Sequence, residues 1–398
     1  MAYKDYWIKD TYKYTFIDLF CGSGGLSLGL NRADFKCELA IDYDKSCIET
    51  FTFNHKNINE SKILHDDIHN QTKTSWINFS NLSNKIDLLC GGPPCQGFST
   101  ANRQRLIDDP RNRLYKEFIK SVDVFKPKLT LMENVSGIFN KREEIINDFN
   151  KIGYLGLCLK LNASDFNIPQ RRNRVFFIMF NEEKIDDNLN SFSEWIIKSI
   201  NDKKCKTKFN LGDAIFDLPK LDAKDVKNNT ELESDRFGYF KTINNNVPTE
   251  YSKFINNQDY SAPFIFNHKS RYNNPRDIEI FSLLKQGGDS SSEEIKHLNP
   301  YSSRDGIFKD KFYKLKQDDV SKTITAHMKF DCHMYIHPNQ ARGLTPREAA
   351  RIQTYPDSYV FKGSFTKWYQ QIGNSVPPIL SYNIGLTLKE YLNERENH

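Results

Sequence analysis

The residues best suited to do chemistry lie in segment 85–101, KIDLLCGGPPCQGFSTA. Ile86, Asp87, Leu88, Leu89 and Cys90 form a short, mostly apolar run that predicts a strand, ended by Gly91, Gly92, Pro93 and Pro94. The glycines admit backbone angles that other residues resist and the prolines fix theirs, so Cys95 is expected on a turn at a sheet edge, held in one orientation. A thiol presented in this way is placed to act as a nucleophile once deprotonated. A buried, inert cysteine beside a tight turn is the bland alternative, and the segment by itself leaves both open. Two further stretches end apolar runs in polar groups. LTLMENV (129–135) finishes at Glu133 and Asn134, and a carboxylate at the carboxyl end of a strand points into the ligand crevice of an open α/β sheet. QRRNRV (170–175) leads arginines into a strong strand pattern, and alternation along it predicts that Arg172 and Arg174 share a face. A thiolate, a proton-sharing carboxylate and fixed positive charge make a set suited to nucleophilic addition.

Such groups need a sheet to hold them. TFIDLF (15–20) is a buried-strand pattern, followed at once by CGSGGLSLGL with Gly22, Gly24, Gly25 and Gly29 leading into a helix. Strand, glycine turn and helix form a nucleotide-binding opening, and Ser27 stands where a third fingerprint glycine would fall, so a close-packed nucleoside suits the turn better than a dinucleotide pyrophosphate. A second strand around 37–41 ends in Asp42 and Tyr43, placed for ribose hydroxyls and for an adenine face, and HDDI (65–68) supplies Asp67 for the adenine amino group. Each of these acids, taken singly, reads equally as a solvated loop residue. The polar segment after Cys95, ANRQRLIDDPRNRLYKEF, is richer in basic than acidic residues and reads as a mobile basic loop that closes over a polyanionic ligand or as an ordinary surface loop. Helices are predicted over 116–125 and 143–152, the latter ended by Gly153.

Composition sets bounds on this. The chain of 398 residues has room for one large and one smaller domain, and 56 basic against 51 acidic residues give a net charge of only +5, so any polyanion-binding face must come from local clustering. The 8 cysteines show no CxxC pair, which fits neither a zinc site nor a disulfide framework. The start, MAYKDYWIKDTYKY, is too polar for a signal peptide, and no apolar run approaches the ~20 residues of a membrane span. A reducing cytoplasm is the inferred setting, and abundant Lys, Asn and Ile hint at an AT-rich bacterial genome. From about 181 to 320 the pattern shifts to charged, asparagine-rich stretches with short aromatic islands, YFKTI and APFIF, and no enzyme motif. Lys269, Arg271, Tyr272, Lys309, Lys311 and Tyr313 are candidates there for phosphate or base contacts, with a solvated face as the competing reading of each. RGLTPREAARIQTYPDSYVF (342–361) then carries a helix start, Thr345 as cap and Pro346 as first helical residue.

GGPPCQGFS resembles the nucleophile motif of the cytosine-C5 DNA methyltransferases, and the companions of that family follow in its order along nearly the whole chain: the glycine turn, ENV, QRRNR, SKTITAH (321–327) and KWYQQIGNSVPPILSYNIGLTL (367–388). The resemblance implies an α/β fold, a Rossmann-like S-adenosylmethionine-dependent methyltransferase sheet with an inserted smaller DNA target-recognition domain. The expected division is a catalytic and cofactor-binding domain at 1–184, target recognition at 185–339, and a returning catalytic segment at 340–398. The implied reaction is methyl transfer from S-adenosyl-L-methionine to C5 of a flipped cytosine within a short duplex sequence, through a covalent bond from Cys95 to C6, with Glu133, Arg172 and Arg174 completing the catalytic set. Phe20, Gly22, Gly24, Gly25, Asp42, Tyr43, Asp67, Ile68, Pro94 and Asn374 are the implied cofactor-binding residues. Gln96, Ser99, Arg111 and Thr323 are the implied DNA contacts. No metal and no membrane is required. The expected partners are double-stranded DNA and a cognate restriction endonuclease acting on the same site without necessarily touching this chain. The expected location is the bacterial cytoplasm, at the nucleoid when DNA is bound. A transfer-RNA methyltransferase of the same fold and a catalytically silent DNA-binding homologue are the alternatives; a dinucleotide-dependent oxidoreductase is disfavoured by Ser27.

Overall fold

A computed structural model describes residues 9, 11–71, 76, 79, 82, 85–94, 114–206, 208–224, 241–244, 247–256, 263–300 and 311–396. Cys95, Gln96, Ser99, Arg111 and Lys309 lie outside the described residues. The chain divides into two compact units, one containing Trp7–Phe166, Asn173–Cys205 and Val376–His398, the other Asn167–Arg172 and Lys206–Ser375.

The first unit is built on one sheet. Its elements are β1 (Tyr14–Leu19), α1 (Gly25–Arg32), β2 (Phe35–Asp42), α2 (Lys45–Asn54), β3 (Ile63–His65), β4 (Leu88–Gly91), α3 (Leu114–Phe125), β5 (Leu129–Val135), α4 (Arg142–Asn150), β6 (Tyr154–Asn162), β7 (Asn173–Asn181) and α5 (Leu189–Asp202). The strand order is β3-β2-β1-β4-β5-β7-β6, with the first five strands parallel and β7 antiparallel to both its neighbours. Near-continuous apolar runs are what strands covered on both faces require. Phe16, Ile17 and Leu19 of β1, Leu88 and Leu89 of β4, and Val175 through Phe180 of β7 are accordingly buried. On one face Phe118, Val122 and Phe125 of α3 share a core cluster with Leu89, Met132, Phe177 and Met179.

The second unit holds α6 (Leu211–Ile215), β8 (Lys241–Ile243), α7 (Glu250–Asn256), β9 (Phe264–Phe266), α8 (Pro275–Leu283), α9 (Pro346–Ile352) and α10 (Phe365–Asn374), with β8 and β9 forming a two-stranded antiparallel sheet. Its centre is α9, whose sequence PREAARI is polar and yet wholly buried. Thr345 and Glu348 form a capping box at its start, and Pro346 follows the cap. The arginines are satisfied individually: Arg342 pairs with Glu348 at 2.7 Å, Arg351 with Asp357 at 2.8 Å and also with Asp217, and Arg347 donates to the carbonyls of Phe266 at 2.7 Å and Pro356 at 3.0 Å. Buried charge of this kind fixes geometry more than it adds stability, since desolvation offsets much of the attraction.

The chain then returns to the first unit as α11 (Pro378–Glu396). Ser381 Oγ donates to the Leu26 carbonyl of α1 at 2.6 Å, and Gly29 permits the approach, because a Cβ there would lie 2.3 Å from the Pro378 carbonyl. On its other side Tyr391 meets Phe192 of α5 edge-on at 5.0 Å. Residues 189–202, expected within target recognition, are therefore part of the sheet unit, and residues 340–375, expected to return to it, belong to the second unit.

Candidate active site

Two groups of side chains gather at the carboxyl ends of the parallel strands, both within the first unit. One surrounds a cavity of about 310 Å³. Phe20 comes from the end of β1, Ile41, Asp42 and Tyr43 from β2, Asp66, Asp67, Ile68 and His69 from the turn after β3, Pro94 from the turn after β4, and Leu114 from the start of α3. An open parallel sheet puts its ligand crevice at this edge, because the loops leaving neighbouring strands diverge there. Asp42 ties the cavity to the glycine turn: its Oδ2 accepts from the Gly22 N–H at 2.8 Å and its Oδ1 from the Asp44 N–H at 2.8 Å. Burial raises its pKa, and those two backbone donors oppose the rise. Tyr43 is 61% exposed beside it and lines the cavity. Asp67 caps a short turn through the His69 N–H at 2.9 Å.

Phe20, Asp42, Tyr43, Asp67, Ile68 and Pro94 thus line one cavity, as the sequence reading grouped them. The glycines act behind it. Gly22 (φ +53) has open space where a side chain would project, Gly24 (φ +87) is the left-handed cap of α1, and Gly25 begins that helix. Beneath them Asp18 is fully buried and accepts from Ser27 Oγ at 2.5 Å, so the serine in place of a third glycine anchors the first turn of α1 to β1. Burial, opposed by Ser27 and aided by Asp42, raises the Asp18 pKa to about 7. Asp66, His69, Ile41 and Leu114 were missed by sequence reasoning; the doubled acid of HDDI was the available signal for Asp66. Asn374, in the second unit, is exposed at the end of α10.

The second group lies at β4, β5 and β7. Arg174 Nε meets Glu133 Oε1 at 3.0 Å, with both side chains nearly buried. Antiparallel pairing makes this possible, since Val135 opposes Arg174 in the β5–β7 register and Glu133 lies two residues along on the same face. Burial lowers the Arg174 pKa while Glu133 opposes the drop, and a guanidinium remains cationic throughout. Gly92 leaves room beside them, because a Cβ on it would stand 2.9 Å from Glu133 Oε2 and push that carboxylate aside. Asn134 Nδ2 donates to the Pro93 carbonyl at 2.9 Å, fixing the turn that leads into Cys95. The carboxylate, its arginine and the clamped proline turn are therefore one assembly.

Arg172 departs from expectation. β7 begins at Asn173, so Arg172 precedes the strand whose alternation was to pair it with Arg174. It is fully buried in the second unit and donates to the carbonyls of Ile324 at 2.7 Å, Gly373 at 3.0 Å and Ser375 at 2.7 Å. The same unit holds Gln170, whose Oε1 accepts from the Ile324 N–H at 2.8 Å, and Thr323, whose Oγ1 donates to the Arg171 carbonyl at 2.5 Å. Arg271 is also turned inward, toward main-chain carbonyls, and Lys311 pairs with Asp331 at 3.2 Å. Among the described residues no group of acids, histidines and cysteines is arranged to hold a metal ion, and no helix is long and apolar enough to cross a membrane. Cys21, Cys37 and Cys90 are buried thiols, each pushed well above the ordinary value by burial first of all.

A mostly parallel sheet with a cavity at its carboxyl edge, and a carboxylate–guanidinium pair by a clamped proline turn, is the frame of an α/β methyltransferase. The family follows from the whole-chain match: residues 14–390 fit the C-5 cytosine-specific DNA methylase model, and the chain belongs to that family. It methylates cytosine in DNA at C5, drawing on a methyl donor. Among its relatives, the type II methyltransferase M1.HphI of Haemophilus parahaemolyticus is 32% identical, with 96% of this chain and 88% of that protein covered. The type II methyltransferase M.FnuDI of Fusobacterium nucleatum is 31% identical over 96% of this chain and 95% of that protein. A solved structure assigned as a DNA modification methyltransferase encoded within a prophage (E. coli) is 27% identical, covers 96% of this chain and 100% of that chain, and superimposes with a TM-score of 0.69.

Proposed function

We propose that the chain is the modification enzyme of a type II restriction-modification system, transferring the methyl group of S-adenosyl-L-methionine to a cytosine flipped out of one short duplex sequence. The observation that carries the reading is the Glu133–Arg174 pair set against Gly92 and the Asn134-clamped turn that runs into Cys95. The cavity suits the donor: apolar walls from Phe20, Ile41, Ile68 and Leu114 for a purine, the Tyr43 ring in the lining, and carboxylates at Asp42, Asp66 and Asp67 for hydroxyls, an amino group and positive charge. When bound, that donor supplies an electrophilic methyl group on a sulfonium.

The chain's own residues prepare the acceptor. Cytosine C5 is a poor carbon nucleophile; addition of the Cys95 thiolate to C6 turns the ring into an enamine, and C5 then takes the methyl group. Glu133 holds ring N3 and the exocyclic amine, sharing a proton as charge builds in the ring, and Arg174 orients Glu133 while its positive charge serves O2. Loss of the C5 proton and departure of Cys95 restore aromaticity and release 5-methylcytosine. The target base leaves the stack at a cost of a few kcal/mol, and Gln96, Ser99 and Arg111 of the segment after Cys95 are assigned to the DNA it vacates. Arg172 serves as a strut within the second unit, which reads the target sequence and meets the DNA backbone at Thr323. The setting is the cytoplasm, with a cognate endonuclease sharing the DNA site.

The test is a duplex containing 5-fluorocytosine at the target position. Fluorine cannot leave as a cation, so the bond from Cys95 to C6 persists, and a denaturant-resistant protein–DNA band is expected with donor present and absent in Cys95→Ser. A band of equal strength in Cys95→Ser would remove that thiol from the mechanism.

A further inference from the structure

We infer that Phe330 is the side chain by which the second unit stacks on a nucleobase of its DNA target, and that Arg271 holds it in place; the inference rests on the DNA-methylating reading above. Phe330 is 66% exposed, while Met328, two residues earlier in the same turn, is fully buried and provides the packing. A ring turned outward from so well-anchored a loop does nothing for the core. The anchoring is extensive. Arg271 donates from Nη1 to the Phe330 carbonyl at 2.7 Å and from Nη2 to the carbonyls of Met328 at 2.9 Å and Lys329 at 3.1 Å. The face of its guanidinium lies over Phe365 and Tyr369, at 5.5 and 5.1 Å. A planar fork gripping three successive carbonyls fixes the backbone at the loop tip in a way a lysine cannot. At the loop base, Tyr335 Oη donates to the Thr323 carbonyl at 2.7 Å, and Gly373 packs so closely that a Cβ on it would lie 2.1 Å from the Ala326 nitrogen.

The chemistry of the tip points to nucleic acid. The Lys329 ammonium lies 4.9 Å from the Phe330 ring centroid and the exposed His327 ring 5.4 Å from it, while Asp331, the next residue along, is engaged by Lys311 at 3.2 Å. An exposed aromatic ring carried on a fixed backbone, with Lys329 against it, is what a base flanked by phosphates selects, since stacking serves the base and the cation serves the backbone.

The experiment compares full-length wild type with Phe330→Ala, Phe330→Leu and Phe330→Trp, measuring affinity for a duplex carrying the site that wild type methylates, with S-adenosylmethionine affinity and sedimentation as controls. Ala and Leu are expected to weaken DNA binding by on the order of tenfold to a hundredfold, Trp to restore it to within a few-fold, and donor affinity to stay unchanged. Leu binding DNA as well as Trp, or Ala as well as wild type, would overturn the inference. So would a dimer weakened by Ala with DNA affinity intact, which would assign the ring to a second copy of the chain. Wild type that methylates no duplex at all would instead sink the DNA-methylating reading, whatever Phe330 does.

Discussion

Asp18 shows how much of this site depends on groups that never touch a ligand. It lies at the centre of the sheet under the glycine turn, accepting from Ser27 and facing the Cys90 thiol, and its pKa is about 7 where an ordinary aspartate has 3.8. Between those two pH values the folded protein keeps a proton that the unfolded chain has released, so folding stability falls as pH rises through that window. The shift corresponds to no more than about 5 kcal/mol at ~1.4 kcal/mol per unit. Asp18→Asn removes the titration. Relative to wild type, its melting temperature is expected to be several degrees more favourable at pH 8 than at pH 5 by calorimetry, and an identical difference at both pH values would refute the assignment. Little of this was legible beforehand: the sequence marks Ser27 only as the residue that breaks a glycine fingerprint. Glu133, Asp42 and Tyr43 were legible because a polar residue ending an apolar run has few places to go. The inward turn of Arg172 and Arg271 was not foreseen, since an arginine's long stem lets it reach buried main-chain carbonyls.

At the scale of elements, the strands were readable from their apolar runs, α3 from its spacing and the start of α9 from Thr345 and Pro346, whereas the burial of α9 was not: PREAARI carries the composition of an exposed helix, and its burial depends on Asp217 and the Phe266 carbonyl, distant in sequence. α1 packs directly against α11. What permits it is Gly29, where an added Cβ would meet the Pro378 carbonyl at 2.3 Å and Ser381 Cβ at 2.5 Å. Alanine is the better helix former by ~1 kcal/mol, yet Gly29→Ala is expected to destabilise the protein by about 1–3 kcal/mol through overpacking. Chemical denaturation decides it, and a rise in midpoint would show that α1 and α11 can separate at no cost. Because α1 carries the glycine turn, the same variant is expected to weaken donor binding.

At the scale of the whole molecule, a break in composition near residue 181 announced a second unit, but composition cannot say where contacts end. α5 is amphipathic and could cover either unit; its Phe192 contact with Tyr391 of α11 settles it in favour of the sheet. The division predicts that exchanging residues 206–375 for those of a relative transfers target choice while leaving the chemistry of the sheet unit in place. Sequencing of methylated DNA would report the donor's site, and retention of the original site would place recognition elsewhere. The most direct measurement is bisulfite sequencing of mixed-sequence duplex DNA after incubation with the purified protein and S-adenosylmethionine. Protection of cytosines in one short context, and only there, is the predicted result; uniform conversion of every cytosine under conditions where the protein is folded and binds its donor would contradict the account.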